Sequence, residues 1–217
     1  MRALRFLLVL VLCALASGAW AAPNHSVDDI LKVLDSQPVN RTTLDQAREV
    51  LARPLPSGDE AALVKAHREK AVAAGELGLI GRQIEELRQA IALGGGSEPY
   101  RVWQQLGMAE FFGGNFRNAV AAREKVLAIT PDNKRGLQLS EHAGLADLYR
   151  RIGDFDQARR HVRNAEAVLV LLRRGQSWND FQYNWQAIIE DALGRTEFSA
   201  GHYAEAEARF RRAVELA

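Results

Sequence analysis

The chain has 217 residues, with 28 lysines and arginines against 27 aspartates and glutamates and a single cysteine. A net charge of +1 excludes the strongly basic surface of a general nucleic-acid binder. One cysteine excludes an internal disulfide and a multi-thiolate metal site, while an apolar fraction of 47% is ample for a helical core.

Residues 1–21 read as a secretory signal peptide. Met1 to Arg5 is a short basic stretch, Phe6 to Ala16 is an unbroken apolar run, and Ala19-Trp20-Ala21 has the small-x-small form accepted by signal peptidase. A retained anchor is the alternative, although the run is short for a bilayer and no stop-transfer pattern follows it. Cys13 follows Leu12, where lipid attachment wants a small residue, so a lipoprotein is not expected. Cleavage would remove Arg2, Arg5 and the only cysteine, leaving 26 basic against 27 acidic residues. The alanine- and arginine-rich vocabulary favours a bacterial source, hence secretion to the periplasm.

Residues 22–58 read as an N-terminal helical hairpin with a linker. Ser26 to Asp29 opens a helix carrying Val27, Ile30, Leu31 and Leu34. Thr43 opens a second, with Gln46 closing a capping box and Leu44, Ala47, Val50 and Leu51 on its apolar side. Pro54 to Gly58 then breaks the chain before Asp59 and Glu60.

From residue 59 a six-residue phrase recurs four times, beginning at Gly78, Gly114, Gly153 and Gly201. Each glycine is followed two positions later by a large apolar residue (Ile80, Phe116, Phe155, Tyr203). In three copies an alanine stands five positions after the glycine (Ala119, Ala158, Ala206), and Gln83 replaces it in the first. Ala90, Val126, Ala165 and Ala213 recur at a distance of twelve. Leu106-Gly107, Leu145-Ala146 and Leu193-Gly194 precede the later glycines, with Lys70-Ala71 at the corresponding place in the first copy. A glycine that closes one helix, an aromatic over the turn and small residues where helices cross specify stacked helix pairs.

On these residues the chain resembles the tetratricopeptide repeat family from about residue 60 to 217, and best from Trp103 to Pro131. The resemblance implies an all-α helix-turn-helix solenoid, a right-handed superhelix with a concave groove. Its pairs would occupy 59–94, 98–131, 136–174 and 177–217. The glycines are 36, 39 and 48 positions apart against a family period of about 34. The long last interval reads as an extended helix to about Arg174, and then a capping box at Ser177 to Asp180 opening another helix toward Ala200. Trp178, Phe181 and Trp185 would share one face of the latter. They would either extend the core beneath Val168, Leu171 and Leu172 or form an exposed aromatic ledge.

Motifs of catalysis are not found. His25, His67, His142, His161 and His202 are scattered without metal-ligand spacing, and no nucleophile elbow or phosphate loop is present. Acidic pairs such as Glu85-Glu86 read as solvated charge on exposed helix positions. The expectation is a chain without catalysis, cofactor or metal.

In the resembled family the first helix of each pair lines the groove. The candidates are Lys65, Arg68 and Glu76; Arg101, Gln104, Met108 and Phe111; Asp147, Arg150 and Arg151; and Asp191, Arg195 and Phe198. Five arginines and a lysine give this face a basic bias suited to an acidic or C-terminal carboxylate peptide, with a merely solvated face as the plainer reading. Val72 and Met108 stand where the carboxylate-clamp subfamily would have asparagines, so that activity is not carried over.

The last helix, Tyr203 to Ala217, leaves Phe210, Val214 and Leu216 without a cover. Continuation into a longer protein, self-association, or a tolerated stripe would each account for this. The reading is a periplasmic, non-catalytic scaffold that binds a partner protein or peptide, without nucleic acid and without stable membrane insertion. The alternative is the regulatory repeat region of a larger enzyme, such as a CHAT-type protease.

Overall fold

The structure is a computed structural model that describes residue 32 and residues 41–173 and 180–216. The signal segment, the helix expected at Ser26, and Ser177, Trp178 and the Phe181 side chain lie outside the described residues. The chain divides into two units, residues 1–41 and 42–217. Of the first only Lys32 and Arg41 are described; the helical architecture belongs to the second.

The described residues form α-helices and no strand. In chain order these are α1 (Arg41–Ala52), α2 (Glu60–Glu76), α3 (Ile80–Ala92), α4 (Pro99–Phe112), α5 (Phe116–Ile129), α6 (Arg135–Arg151), α7 (Phe155–Arg173), α8 (Asp180–Ser199) and α9 (Tyr203–Leu216). Helix α1 begins two residues ahead of Thr43. That residue therefore sits inside the first turn instead of capping it. Helices α2 to α9 pack as four consecutive pairs, and each pair also packs on the next. The result is an all-α solenoid. None of the described helices is long and apolar enough to cross a membrane.

The recurring phrase works as a helix stop. Gly78, Gly114, Gly153 and Gly201 have φ of 70, 75, 83 and 86°, a left-handed conformation that a side chain would oppose. The next residue's amide reaches back five positions in each copy: Leu79 to Ala74, Asn115 to Glu110, Asp154 to Tyr149 and His202 to Glu197, at 2.8–2.9 Å. This is the Schellman closure, which satisfies carbonyls the helix end leaves open. The alanines five positions after the glycine are fully buried between the two helices. In the first copy Gln83 takes that place, and a Cβ on Gly75 would lie 2.8 Å from its Nε2. The missing side chain on α2 makes room for the larger one on α3.

Lys70, where later copies carry leucine, is also buried. Its ammonium donates to the carbonyls of Leu51 and Arg53 at 2.8 and 2.5 Å, placing a cation at the C-terminal end of α1. The apolar core lies in three clusters along the stack, the last of which holds Leu139, Leu169, Ile189 and Leu193. Trp185 packs against that last cluster with Val168 and Leu172, so this aromatic belongs to the core.

Between the clusters run buried carboxylates, and here the expectation of solvated acids fails. Glu86, Glu110, Glu141 and Glu190 are at most 4% exposed. Glu86 lies 2.6 Å from both His67 Nδ1 and Arg82. Glu110 accepts from Arg88 at 2.7 Å and Asn115 at 2.8 Å. Glu190 accepts from Arg209 at 3.0 Å. Glu141 on α6, as enclosed as Glu110, is held from two other helices: Gln104 of α4 donates to one oxygen at 2.8 Å and Arg123 of α5 to the other at 2.9 Å. Arg123 reaches it through a slot walled by two glycines. A Cβ on Gly144 would lie 2.5 Å from its Nη1, and one on Gly107 would lie 3.1 Å from its Cγ. At the last pair the Arg159 guanidinium holds the Glu197 carboxyl down to about 2, with donors at 2.7 and 2.8 Å.

Two histidines that are nineteen positions apart in sequence meet between α6 and α7. His142 Nδ1 and His161 Nδ1 are 3.0 Å apart, and the Tyr149 ring stacks on His161 at 5.3 Å. Tyr149 donates to Glu124 at 2.5 Å, and burial with this bond pushes its hydroxyl up to about 12. Burial and the facing ring depress His142 to about 4, and burial with Arg160 lowers His161, against an opposing effect of Glu124. Among the described residues no group of three potential ligands is placed to hold a metal.

Glu141→Leu leaves the Arg123 charge buried and unpaired and lowers unfolding free energy by about 3–5 kcal/mol in urea titration, whereas adding Arg123→Leu recovers most of the loss. For His142 the folded state binds its proton less readily than the unfolded chain. Its contribution is complete above pH ~6.5 and declines as pH falls toward 4. The denaturation midpoint therefore drops over that window, and His142→Phe makes the drop shallower.

Candidate binding surface

The first helices of the pairs, α2, α4, α6 and α8, form a row in which neighbours from α4 onward are joined by polar and aromatic contacts. Gln104 bonds Glu141 across α4 and α6, Arg151 lies 5.1 Å over the Phe111 ring across the same two helices, and Arg150 reaches Ser199 of α8 at 3.3 Å. The sequence-derived candidates fall on this row in different environments.

Gln104 is taken up by the buried carboxylate, and Phe111 belongs to the core beside Phe116, 5.8 Å away. Met108 and Phe198 are exposed. The basic bias is largely cancelled by acids close by in sequence. Asp147 accepts from Arg150 and Arg151 at 2.6 Å each, Asp191 pairs with Arg195 at 2.7 Å, and Glu98 pairs with Arg101 at 2.6 Å. These acids stand three or four residues before their arginines, Asp147 and Asp191 on the same helical face and Glu98 at the N-cap of α4. Burial alone would raise the Asp147 carboxyl; its two arginines outweigh that and hold it below its ordinary value.

Arg68 differs from the other arginines of this row. No acid pairs with it among the described residues; its Nε, like that of Arg150, is buried without a hydrogen-bond partner. It lines a groove of 560 Å³ between α1, α2 and α4, together with Lys65, Val72, Glu76 and Val50. Gln105 faces this groove from α4, and its Oε1 is likewise buried and unpaired. Lys65 is exposed and lies 3.9 Å from Glu69. A second, smaller hollow of 230 Å³ gathers Asp147 and Arg150 of α6 with Asp191 and Arg195 of α8 over Ala143 and Ile188. Beyond α8, the exposed Phe198 and Tyr203 meet edge to face at 5.4 Å beside a 590 Å³ hollow that also holds Phe210 and Val214. Phe210 is partly spoken for, since a Cβ on Gly194 would lie 2.7 Å from its ring.

Sequence reasoning found the helices that carry this surface but missed Gln105, which lies one residue from the chosen Gln104, and missed the isolation of Arg68. A one-residue step on a helix turns a side chain by about 100°, enough to exchange the groove for the core.

Residues 100–133 match the family model described as tetratricopeptide repeat. No curated protein matches the chain. The fold is similar to the crystal structure of MamA, at a TM-score of 0.57 and 17% identity over 88% of this chain and 94% of that one. It is similar to BtubC (BKLC) from P. vanneervenii, at 0.63 and 20% over 81% of this chain and 72% of the other. It also resembles the nearly identical TPR-like repeats of a candidate kinesin light chain from Podosopora anserina, at 0.61 and 17% over 81% and 93%. One segment, residues 100–133, thus matches a tetratricopeptide repeat in sequence, and the chain shares the all-α repeat fold of these structures over about four fifths of its length.

Proposed function

We propose that the chain is a non-catalytic scaffold that binds a segment of a partner protein along the row of its first helices. The observation that carries this is the groove between α1, α2 and α4, lined by an Arg68 that no described acid pairs with, by Gln105, and by an apolar wall of Val50 and Val72. A bound chain supplies donors, acceptors and side-chain charges that can meet the groove's polar lining. A second hollow lies between α6 and α8, further along the row of first helices. The repeat fold supports a binding role because it presents side chains on successive helices in a regular row. The signal-like residues from Met1 to Ala21 support a location in the bacterial periplasm after cleavage.

Self-association is a second reading, favoured by the exposed Phe198, Tyr203 and Val214 at the outer face of α8 and α9. A photo-reactive amino acid placed singly at Lys65, Met108, Phe198 or Val214, and at Arg117 and Lys125 on α5, separates the two in the native cells. The scaffold reading expects cross-links to another protein from Lys65 and Met108 and none from the α5 positions. Cross-links to a second copy from Phe198 and Val214 alone would establish self-association instead. Cross-links from α5 without any from α2 or α4 would overturn the groove reading.

A further inference from the structure

The 560 Å³ groove carries more than a general affinity for protein. Along α2 it presents Arg68, Val72 and Glu76 at intervals of four residues. Arg68 has no acidic partner and Glu76 has no basic one among the described residues, while Glu69 between them is occupied by Lys65 and Arg53, each at 3.9 Å. Val72 is half exposed, and Val50 from α1 joins it in the apolar middle of the groove. The groove is thus cationic at one station, apolar in the centre and anionic at the other, with its local acid already taken. Eight helical residues rise about 12 Å, the span of three to four residues of an extended peptide at about 3.3 Å each.

We infer that this groove binds an extended peptide segment with an acidic side chain at Arg68, a basic side chain three or four residues away at Glu76, and an apolar residue between them on Val72 and Val50. The inference rests on reading the groove as a peptide site and adds the charge register. The Arg68 guanidinium, which no acid of the described fold holds, pairs with the peptide's carboxylate at the groove wall. Both ends are polar and opposite, so a uniformly acidic peptide meets Glu76 and a uniformly basic one meets Arg68; each is disfavoured by like charge at one station.

The test is selection of a random nonapeptide phage library on the full chain, followed by fluorescence-anisotropy titration of the enriched peptides. The expected sequences carry Asp or Glu and Lys or Arg three or four positions apart, flanking an apolar residue. Arg68→Glu weakens them about 10- to 100-fold, as loss of a charge-assisted pair requires, and replacing the peptide's acid with lysine restores binding to that variant. Arg68 has no acidic partner in the described fold, so far-UV circular dichroism of the variant should match the wild type. Val72→Trp fills the groove and serves as the block. Peptides that are lost on Val72→Trp but show no charge spacing, or ignore Arg68→Glu, overturn the register while leaving the groove a peptide site. Peptides indifferent to Val72→Trp, or failure to enrich any, overturn both.

Discussion

The stack depends on one buried carboxylate. Glu141 stands at the junction of α4, α5 and α6, and its two oxygens are shared between Gln104 and Arg123. An ion pair so enclosed contributes little net stability against an apolar replacement, because both charges must leave water. Its effect is on geometry. Arg123 reaches Glu141 past Gly107 and Gly144, where a Cβ would lie 3.1 Å from its Cγ and 2.5 Å from its Nη1, so its present path depends on the placement of the three helices. The Leu-Gly pair of the second repeat thereby has a task beyond close helix approach: Gly107 makes room for the Arg123 stem, while Gly144 makes room for its guanidinium. Glu110 with Arg88 and Glu190 with Arg209 repeat the theme across α3–α4 and α8–α9.

The same economy of charge shapes the surface. Arginines on the first helices are held by acids a turn away, which leaves much of the row near neutral. At Arg68 and Glu76 such pairing fails with opposite sign, two turns apart and separated by an exposed valine. On the proposed reading, such a surface selects by the order of charges and not by their sum. The overall charge of +1 was uninformative for that reason.

The turns were legible in the sequence because glycine is cheap at positive φ and other residues are not; four glycines at matching offsets fix four helix ends. The departures of the first repeat were legible as departures, but their reasons were not. Gln83 needs Gly75 opposite it, and Lys70 needs the carbonyls at the end of α1, and neither partner is adjacent in sequence. The buried acids were hidden for a similar reason. Glu86 sits beside the exposed Glu85, and Glu141 lies next to a serine and a histidine, so no apolar run marks either as interior. Likewise His142 and His161 are brought together only by the packing of α6 on α7. Which arginines are free depends on rotamers that hydropathy does not encode.

Glu141, on this account, couples three helices into one unit, and native-state hydrogen exchange on the wild type and on Glu141→Gln measures that coupling directly. The expected result is that amides of α4, α5 and α6 share one slow opening in the wild type, and that the substitution speeds exchange in all three together. Faster exchange confined to α6, with α4 and α5 unchanged, would contradict it.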